Sequence, residues 1–371
     1  MKNSSEIRPF RAEVPQADLD DLLHRVRNTR YTGELPGAGD AYGVTADYVR
    51  DLAAYWVDGY DWRALEDRLN THPQFTTEID GQNIHFLHVR SPEPDATPLL
   101  LSHGWPMSVV EYLDVIGPLT DPRSHGGDPA DAFHLVIPST PGVGFSGPTT
   151  EKGWNRYRTA RAYNKLMNRL GYERYGAHGN DGGAFIAPEM GRAAPENVTG
   201  VHVTQVFSFP SGDPDELARL DEADLARVAF MQEFMAKNAF NHLQSTAPQT
   251  LAHALADSPV GQLAWSGQLF GTAVSRDYIL DNVTLYWLTR TSASSMRFYY
   301  EDAHAEHPTE PTTVPLGLAN FAYDFQSVRP LADRDHENIV SWNVYDTGSH
   351  YAAHDAPDLL VADIRAFFRA L

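Results

Sequence analysis

The chain contains no cysteine. Disulfides, thiolate metal sites and cysteine nucleophiles are therefore excluded. No run approaches the ~18 apolar residues that a membrane-spanning helix needs, so no membrane anchor is expected. Met1 to Arg11 is polar and charged and lacks the apolar centre of a signal peptide, which makes the cytoplasm the expected compartment. Positive charge is scarce: 29 Lys and Arg stand against 49 Asp and Glu, a formal net charge of −20. An acidic surface repels phosphate backbones and argues against a nucleic-acid partner. No internal repeat, low-complexity tract or metal-ligand spacing is present.

What remains is ordinary for a globular protein. Of 371 residues, 42% are hydrophobic and 21% charged, enough for a large core in a main domain with added pieces. Residues 1–75 read as a helical meander. Leu19, Leu22, Leu23 and Val26 fall on one helical face. Thr45 can cap a second helix, with Tyr48, Leu52, Tyr55 and Trp56 on its apolar face and Gly59 at its end.

From Phe75 the rhythm changes. Thr76 to Asp80, Asn83 to Arg90, Pro98 to Ser102, Phe133 to Ile137, Arg174 to His178 and Val198 to Val206 read as strands. Helices alternate with the later ones, which predicts a mostly parallel sheet covered on both faces. Residues 76–207 form the first part of this α/β core. Residues 208–305 read as helical, an inserted cap. Strand signals return at Thr312 to Gly317 and Asn338 to Tyr345, and a helix from Pro357 closes the second part, 306–371. A cap over the C-terminal strand edge covers the place where open α/β sheets bind ligands.

The segment Gly179-Asn180-Asp181-Gly182-Gly183 lies between a strand and a helix and fits a nucleophile elbow, with small residues around a sharp turn. Its central residue is Asp, where many elbows have Ser. A serine attacking saturated carbon would form an ether that activated water cannot cleave. A carboxylate forms an ester, which water can hydrolyse at its carbonyl. The aspartate therefore points to displacement at sp³ carbon, epoxide opening or dehalogenation. Taken alone, Asn-Asp-Gly-Gly fits a plain turn equally well.

Two further segments give the turn a chemical context. His103-Gly104-Trp105-Pro106 follows an apolar strand, and a backbone N–H from the Trp105 loop can form an oxyanion hole with that of Gly182. His350 lies between the last strand and the last helix. Asp324, in a post-strand loop, falls between Asp181 and His350. Nucleophile, acid, histidine is the chain order of hydrolase-fold triads, and Asp324 can orient the imidazole and stabilise its charged form.

With these segments in place, the sequence resembles the microsomal and juvenile-hormone epoxide hydrolase family, in a soluble bacterial-type form. The resemblance spans nearly the whole chain: Ile7 to Arg11, Leu22 to Thr32, His103 to Pro106, Pro141 to Gly147, Asp257 to Gly261, Tyr286-Trp287, Arg297-Phe298-Tyr299 and Gly348 to Leu360. It implies an α/β-hydrolase fold with an N-terminal meander and a helical cap. It implies Asp181 as nucleophile, His350 as base, Asp324 as its acid partner and cap Tyr299 as hydrogen-bond donor to the epoxide oxygen. The partners implied are a small-molecule epoxide and water; no cofactor is implied, and a homodimer is compatible.

Two departures stand out. The family supplies two cap tyrosines, and Phe240 stands where the second would be, which implies either weaker electrophilic assistance or another donor in its place, such as Tyr300 or His242. The residue after the nucleophile is often Trp, but here it is Gly182. His103, Phe240 and Tyr300 are expected in the substrate pocket. A dehalogenase with the same triad and a non-catalytic protein on this scaffold are the competing readings. Gly142 to Gly147 matches the dinucleotide pattern G-x-G-x-x-G, but Pro148 follows and no helix opens there, which excludes that reading.

Overall fold

Alternate residues of single strands separate into different apolar clusters, and this defines the layers. The computed structural model describes residues 6–371; residues 1–5 of the N-terminal segment lie outside it. Nine strands form one sheet: β1 (Arg8–Phe10), β2 (Gln74–Ile79), β3 (Gln82–Val89), β4 (Thr97–Ser102), β5 (Phe133–Pro138), β6 (Tyr175–Gly179), β7 (Val198–Val203), β8 (Leu316–Asn320) and β9 (Ile339–Val344). Their order is β1-β2-β3-β5-β4-β6-β7-β8-β9. The first three pairings are antiparallel and those from β5 to β9 are parallel. Leu99, Leu101, Leu135 and Ile137 face one cluster, while Leu100 and Val136 face the other. Burial on both faces explains why these strands read as continuous apolar runs.

The β2–β3 hairpin turns at Asp80 and Gly81, with φ of 51° and 80°. Two positive φ values match the strand twist, and only glycine adopts the second without strain. β8 starts later than the sequence pattern suggests. Pro315 has no N–H to donate, and Thr312 makes only an isolated bridge to His336.

Between β7 and β8 the described residues are helical and contain no strand. The main helices are Glu222–Lys237, Ala239–Thr246, Pro248–Asp257, Pro259–Gly267, Arg276–Leu288 and Arg297–Ala303. The N-terminal helices Gln16–Arg27 and Ala46–Asp58 bury Leu19, Leu22, Val26, Leu52 and Trp56. Thr45 caps the second helix by accepting from Tyr48 N–H. These helices and the turn after the second brace the insert directly. Arg25 donates to Asp257 O at 3.0 Å, Tyr48 to Gly267 O at 2.9 Å and Tyr60 to Asp281 at 2.9 Å. Their leucines join Leu263 and Val283 of the insert in one cluster, each fully buried leucine contributing about 1.5–3 kcal/mol. Among the described residues no helix is long and apolar enough to cross a membrane.

The strand order reverses at β4, which has β5 on one side and β6 on the other. Ser102 pairs with Gly179 at the C-terminal ends of β4 and β6. The loops that follow these strands, carrying Trp105 and Asp181, therefore emerge side by side at the switch point, where open α/β sheets leave a crevice.

Candidate active site

Asp181 immediately precedes the helix Gly182–Ala193, at its N-cap position, and has φ 51° and ψ −117°. A non-glycine residue held there is strained, and the surrounding contacts must hold it. Close backbone approach explains the glycines. A Cβ on Gly183 would lie 1.8 Å from Ser102 O, and one on Gly179 would lie 2.0 Å from Gly183 O. A Cβ on Gly104 would lie 2.1 Å from Asp181 Oδ1 and 2.5 Å from Gly182 N. The carboxylate and the Gly182 amide thus share the space beside Gly104.

The Asp181 carboxylate has two neighbours of opposite kind. Trp105 N–H donates to Oδ1 at 2.9 Å. His350 Nε2 stands 3.5 Å from Oδ2. On its other side His350 Nδ1 donates to Asp324 Oδ1 at 2.7 Å. Asp324 is only 3% exposed along its side chain, against 25% for His350 and 22% for Asp181. Phe325 N–H and Gln205 Nε2 also donate to Asp324. Burial alone would lower the His350 pKa. The Asp324 charge and hydrogen bond and the Asp181 carboxylate outweigh it and hold the imidazole well above its ordinary range.

The Trp105 side chain belongs to an aromatic cluster with Phe240 and Tyr299. Trp105 and Phe240 stack with ring centres 5.5 Å apart, and Tyr299 stands edge-on to both at 6.0 Å. Burial and then the Asp181 charge push the Tyr299 phenol well above its ordinary pKa, so it stays protonated. Tyr286 OH is committed to Met107 O at 2.6 Å, and Trp105 Nε1 to Ser295 Oγ at 3.2 Å.

The sequence therefore brings Asp181, Asp324, His350, Trp105, Gly182, Tyr299 and Phe240 to one place. Three other expected residues lie elsewhere. Tyr300 is 38% exposed and stacks on His304, because neighbours on a helix point about 100° apart. His242 is exposed on the helix Ala239–Thr246. His103 is buried beneath the loop rather than lining a pocket. Its Nε2 accepts from Thr140 N–H at 3.2 Å, so Nδ1 carries the proton toward Gly104 O at 2.9 Å. Burial lowers its pKa to about 4, and it braces the loops after β4 and β5 as a neutral ring.

Three buried polar residues were not anticipated from the sequence. Gln205 Oε1 accepts from Asp181 N–H at 2.8 Å. Asn180 Nδ2 donates to His350 O at 3.0 Å and to Glu111 Oε1 at 2.8 Å. Glu111 is 1% exposed within the short 3₁₀ turn Val109–Tyr112. An acid inside an otherwise apolar run was the available signal for it. Gln205 lay within what read as a strand.

Residues 7–112 match the family described as Epoxide hydrolase N terminus, and residues 97–331 match the alpha/beta hydrolase fold. Epoxide hydrolase 1 of Sus scrofa is 33% identical, over 98% of this chain and 89% of that protein. The solved epoxide hydrolase of Aspergillus niger is 31% identical with a TM-score of 0.87, covering 99% of this chain and 97% of the other. The juvenile hormone epoxide hydrolase of the silkworm Bombyx mori is 25% identical with a TM-score of 0.89, over 98% and 94% of the two chains. With an aspartate elbow, a paired histidine and a two-part match over most of its length, this chain belongs to the epoxide hydrolase family, α/β-hydrolase-fold enzymes that hydrolyse an ether bond.

Proposed function

We propose that this epoxide hydrolase works through a covalent ester on Asp181 and releases a vicinal diol. The observation that carries the reading is the position of the Asp181 carboxylate: one oxygen on Trp105 N–H at 2.9 Å, the other 3.5 Å from His350 Nε2. The raised pKa of His350 makes the resting pair an imidazolium beside a carboxylate. Asp181 attacks a ring carbon while Tyr299 donates to the departing oxygen, where alkoxide charge develops.

Ester formation removes the Asp181 charge. The His350 pKa then falls, and its proton is released as the alkoxide becomes a hydroxyl. The neutral imidazole, oriented by Asp324, can now take a proton from water, which attacks the ester carbonyl. Trp105 N–H and Gly182 N–H face the carbonyl oxygen as it becomes an oxyanion. Collapse of the tetrahedral intermediate returns the carboxylate, the imidazolium and the diol, so protons balance over the cycle. No step draws on a metal or an organic cofactor.

The ring faces of Trp105 and Phe240 suit an apolar substituent on the epoxide. The helices 208–305 act in this reading as a cap that brings Tyr299 over the elbow. Dehalogenation gains no support from the indole, whose N–H is already bonded to Ser295. His350→Gln tests the mechanism. It should form the ester and fail to hydrolyse it, so that an adduct of the substrate's mass accumulates on the intact protein. An unmodified, inactive variant would count against the base assignment.

A further inference from the structure

One fully buried side chain touches the machinery of both aspartates. Gln205 is 0% exposed and lies just beyond the end of β7. Its Oε1 accepts from Asp181 N–H at 2.8 Å, and its Nε2 donates to Asn180 Oδ1 at 2.7 Å and to Asp324 Oδ2. The orientation of this amide is dictated by its neighbours. A backbone N–H can only donate and an ionised carboxylate can only accept. Turned over, the amide would set N–H against N–H and its oxygen against Asp324.

The sense passes along the chain of contacts. Asn180 Oδ1 accepts from Gln205 Nε2 and from Thr204 Oγ1 at 2.6 Å. Its Nδ2 must then face acceptors, and it reaches His350 O at 3.0 Å and Glu111 Oε1 at 2.8 Å. A single backbone N–H, that of the strained residue, thereby orders two buried amides and ties the loops of Asp181, Asp324 and His350 together.

We propose that Gln205 is a positioning residue that fixes the elbow backbone through Oε1 and the Asp324 carboxylate through Nε2, two functions separable within one amide. The proposal rests on the roles given above to Asp181, Asp324 and His350. Asp181 has left the β6 ladder and precedes its helix, so its N–H needs a side-chain acceptor. Asp324 needs a donor on Oδ2 that orients it without cancelling its charge, which would be lost to His350. A neutral amide meets both needs, whereas a lysine or arginine would compete for the charge.

Two variants separate the functions. Gln205→Leu removes both. Gln205→Glu keeps an acceptor for Asp181 N–H but sets a second carboxylate against Asp324, and two such groups share a proton. Stopped-flow kinetics would resolve ester formation from ester hydrolysis across pH for each protein. Titratable groups facing His350 are Asp181, Asp324, Tyr351, whose ring stands edge-on with its centre 5.3 Å away, and, through Asn180, Glu111, and a new ionisation would stand out against them.

Gln205→Leu should slow both steps by about tenfold or more. Gln205→Glu should recover ester formation to within about threefold, keep hydrolysis at least about tenfold slow, and add an ionisation to its pH profile. In Gln205→Glu a purely structural residue would leave both steps altered in proportion and the profile in place, and that result overturns the proposal. Should Gln205→Leu not fold, Gln205→Glu alone decides. Absence of an ester in these variants and in His350→Gln would overturn the covalent reading and this proposal with it. An ester in Gln205→Glu with an unaltered ratio of the two steps overturns the role of Gln205 alone.

Discussion

Replacing Tyr299 with phenylalanine removes one oxygen and keeps the ring. The packing against Trp105 and Phe240, with centres 6.0 Å away, is retained. What is lost is a donor to the oxygen on which charge develops. A hydrogen bond to a charged group contributes about 1.5–3 kcal/mol, which is about 10- to 150-fold in rate. The structure offers little compensation. Phe240 has no hydroxyl, Tyr286 OH is held by Met107 O, Trp105 Nε1 by Ser295, and Tyr300 points outward onto His304. The full loss should therefore appear, and only in ester formation. A single-turnover quench with mass detection would read both steps. Ester formation within about twofold of the unsubstituted enzyme would refute the assignment; so would an equal slowing of hydrolysis, a step in which the phenol has no part.

Other substitutions probe the same site. Phe240→Tyr adds a second phenol beside Tyr299 and should speed ring opening by about tenfold; an unchanged rate in the same quench assay would mean that another donor already serves. Gly104→Ala places a Cβ 2.1 Å from Asp181 Oδ1, and the displaced carboxylate should cost about 100-fold in activity with an unaltered circular dichroism spectrum. Glu111→Gln addresses pH. Burial raises the Glu111 pKa to about 8, so the folded state keeps a proton that the unfolded state releases above the ordinary carboxylate range. Stability then falls as pH rises through that window. In urea melts the variant should gain on its parent by about 1.4 kcal/mol per pH unit there, and a difference that stays flat with pH would contradict the buried acid.

Strands buried on both faces were plain in the sequence because every residue of Leu99 to Leu101 or Leu135 to Ile137 meets an apolar layer. β8 was misjudged by several residues because its boundary is set by Pro315 and by pairing with β9, a tertiary matter. The Asp181, Asp324 and His350 loops were legible because each follows a strand in a fixed order. Their tie was not. Gln205 meets Asp324 across 119 positions and Asn180 meets His350 across 170, and only the order β6-β7-β8-β9 makes them neighbours. Tyr299 and Tyr300 show the same limit on one helix: the motif names Tyr299, and only the direction of the turn shows that Tyr300, offered as a substitute for the missing donor, points away onto His304.

In the covalent mechanism the diol's new oxygen comes first from Asp181 and not from water. A single turnover in ¹⁸O-enriched water, with enzyme in excess over epoxide, tests it. An Asp181 ester should give unlabelled diol in that first turnover and ¹⁸O in the peptide bearing Asp181, with label reaching the diol only on later cycles. Diol labelled from water in the first turnover, with an unlabelled Asp181 peptide, would contradict it.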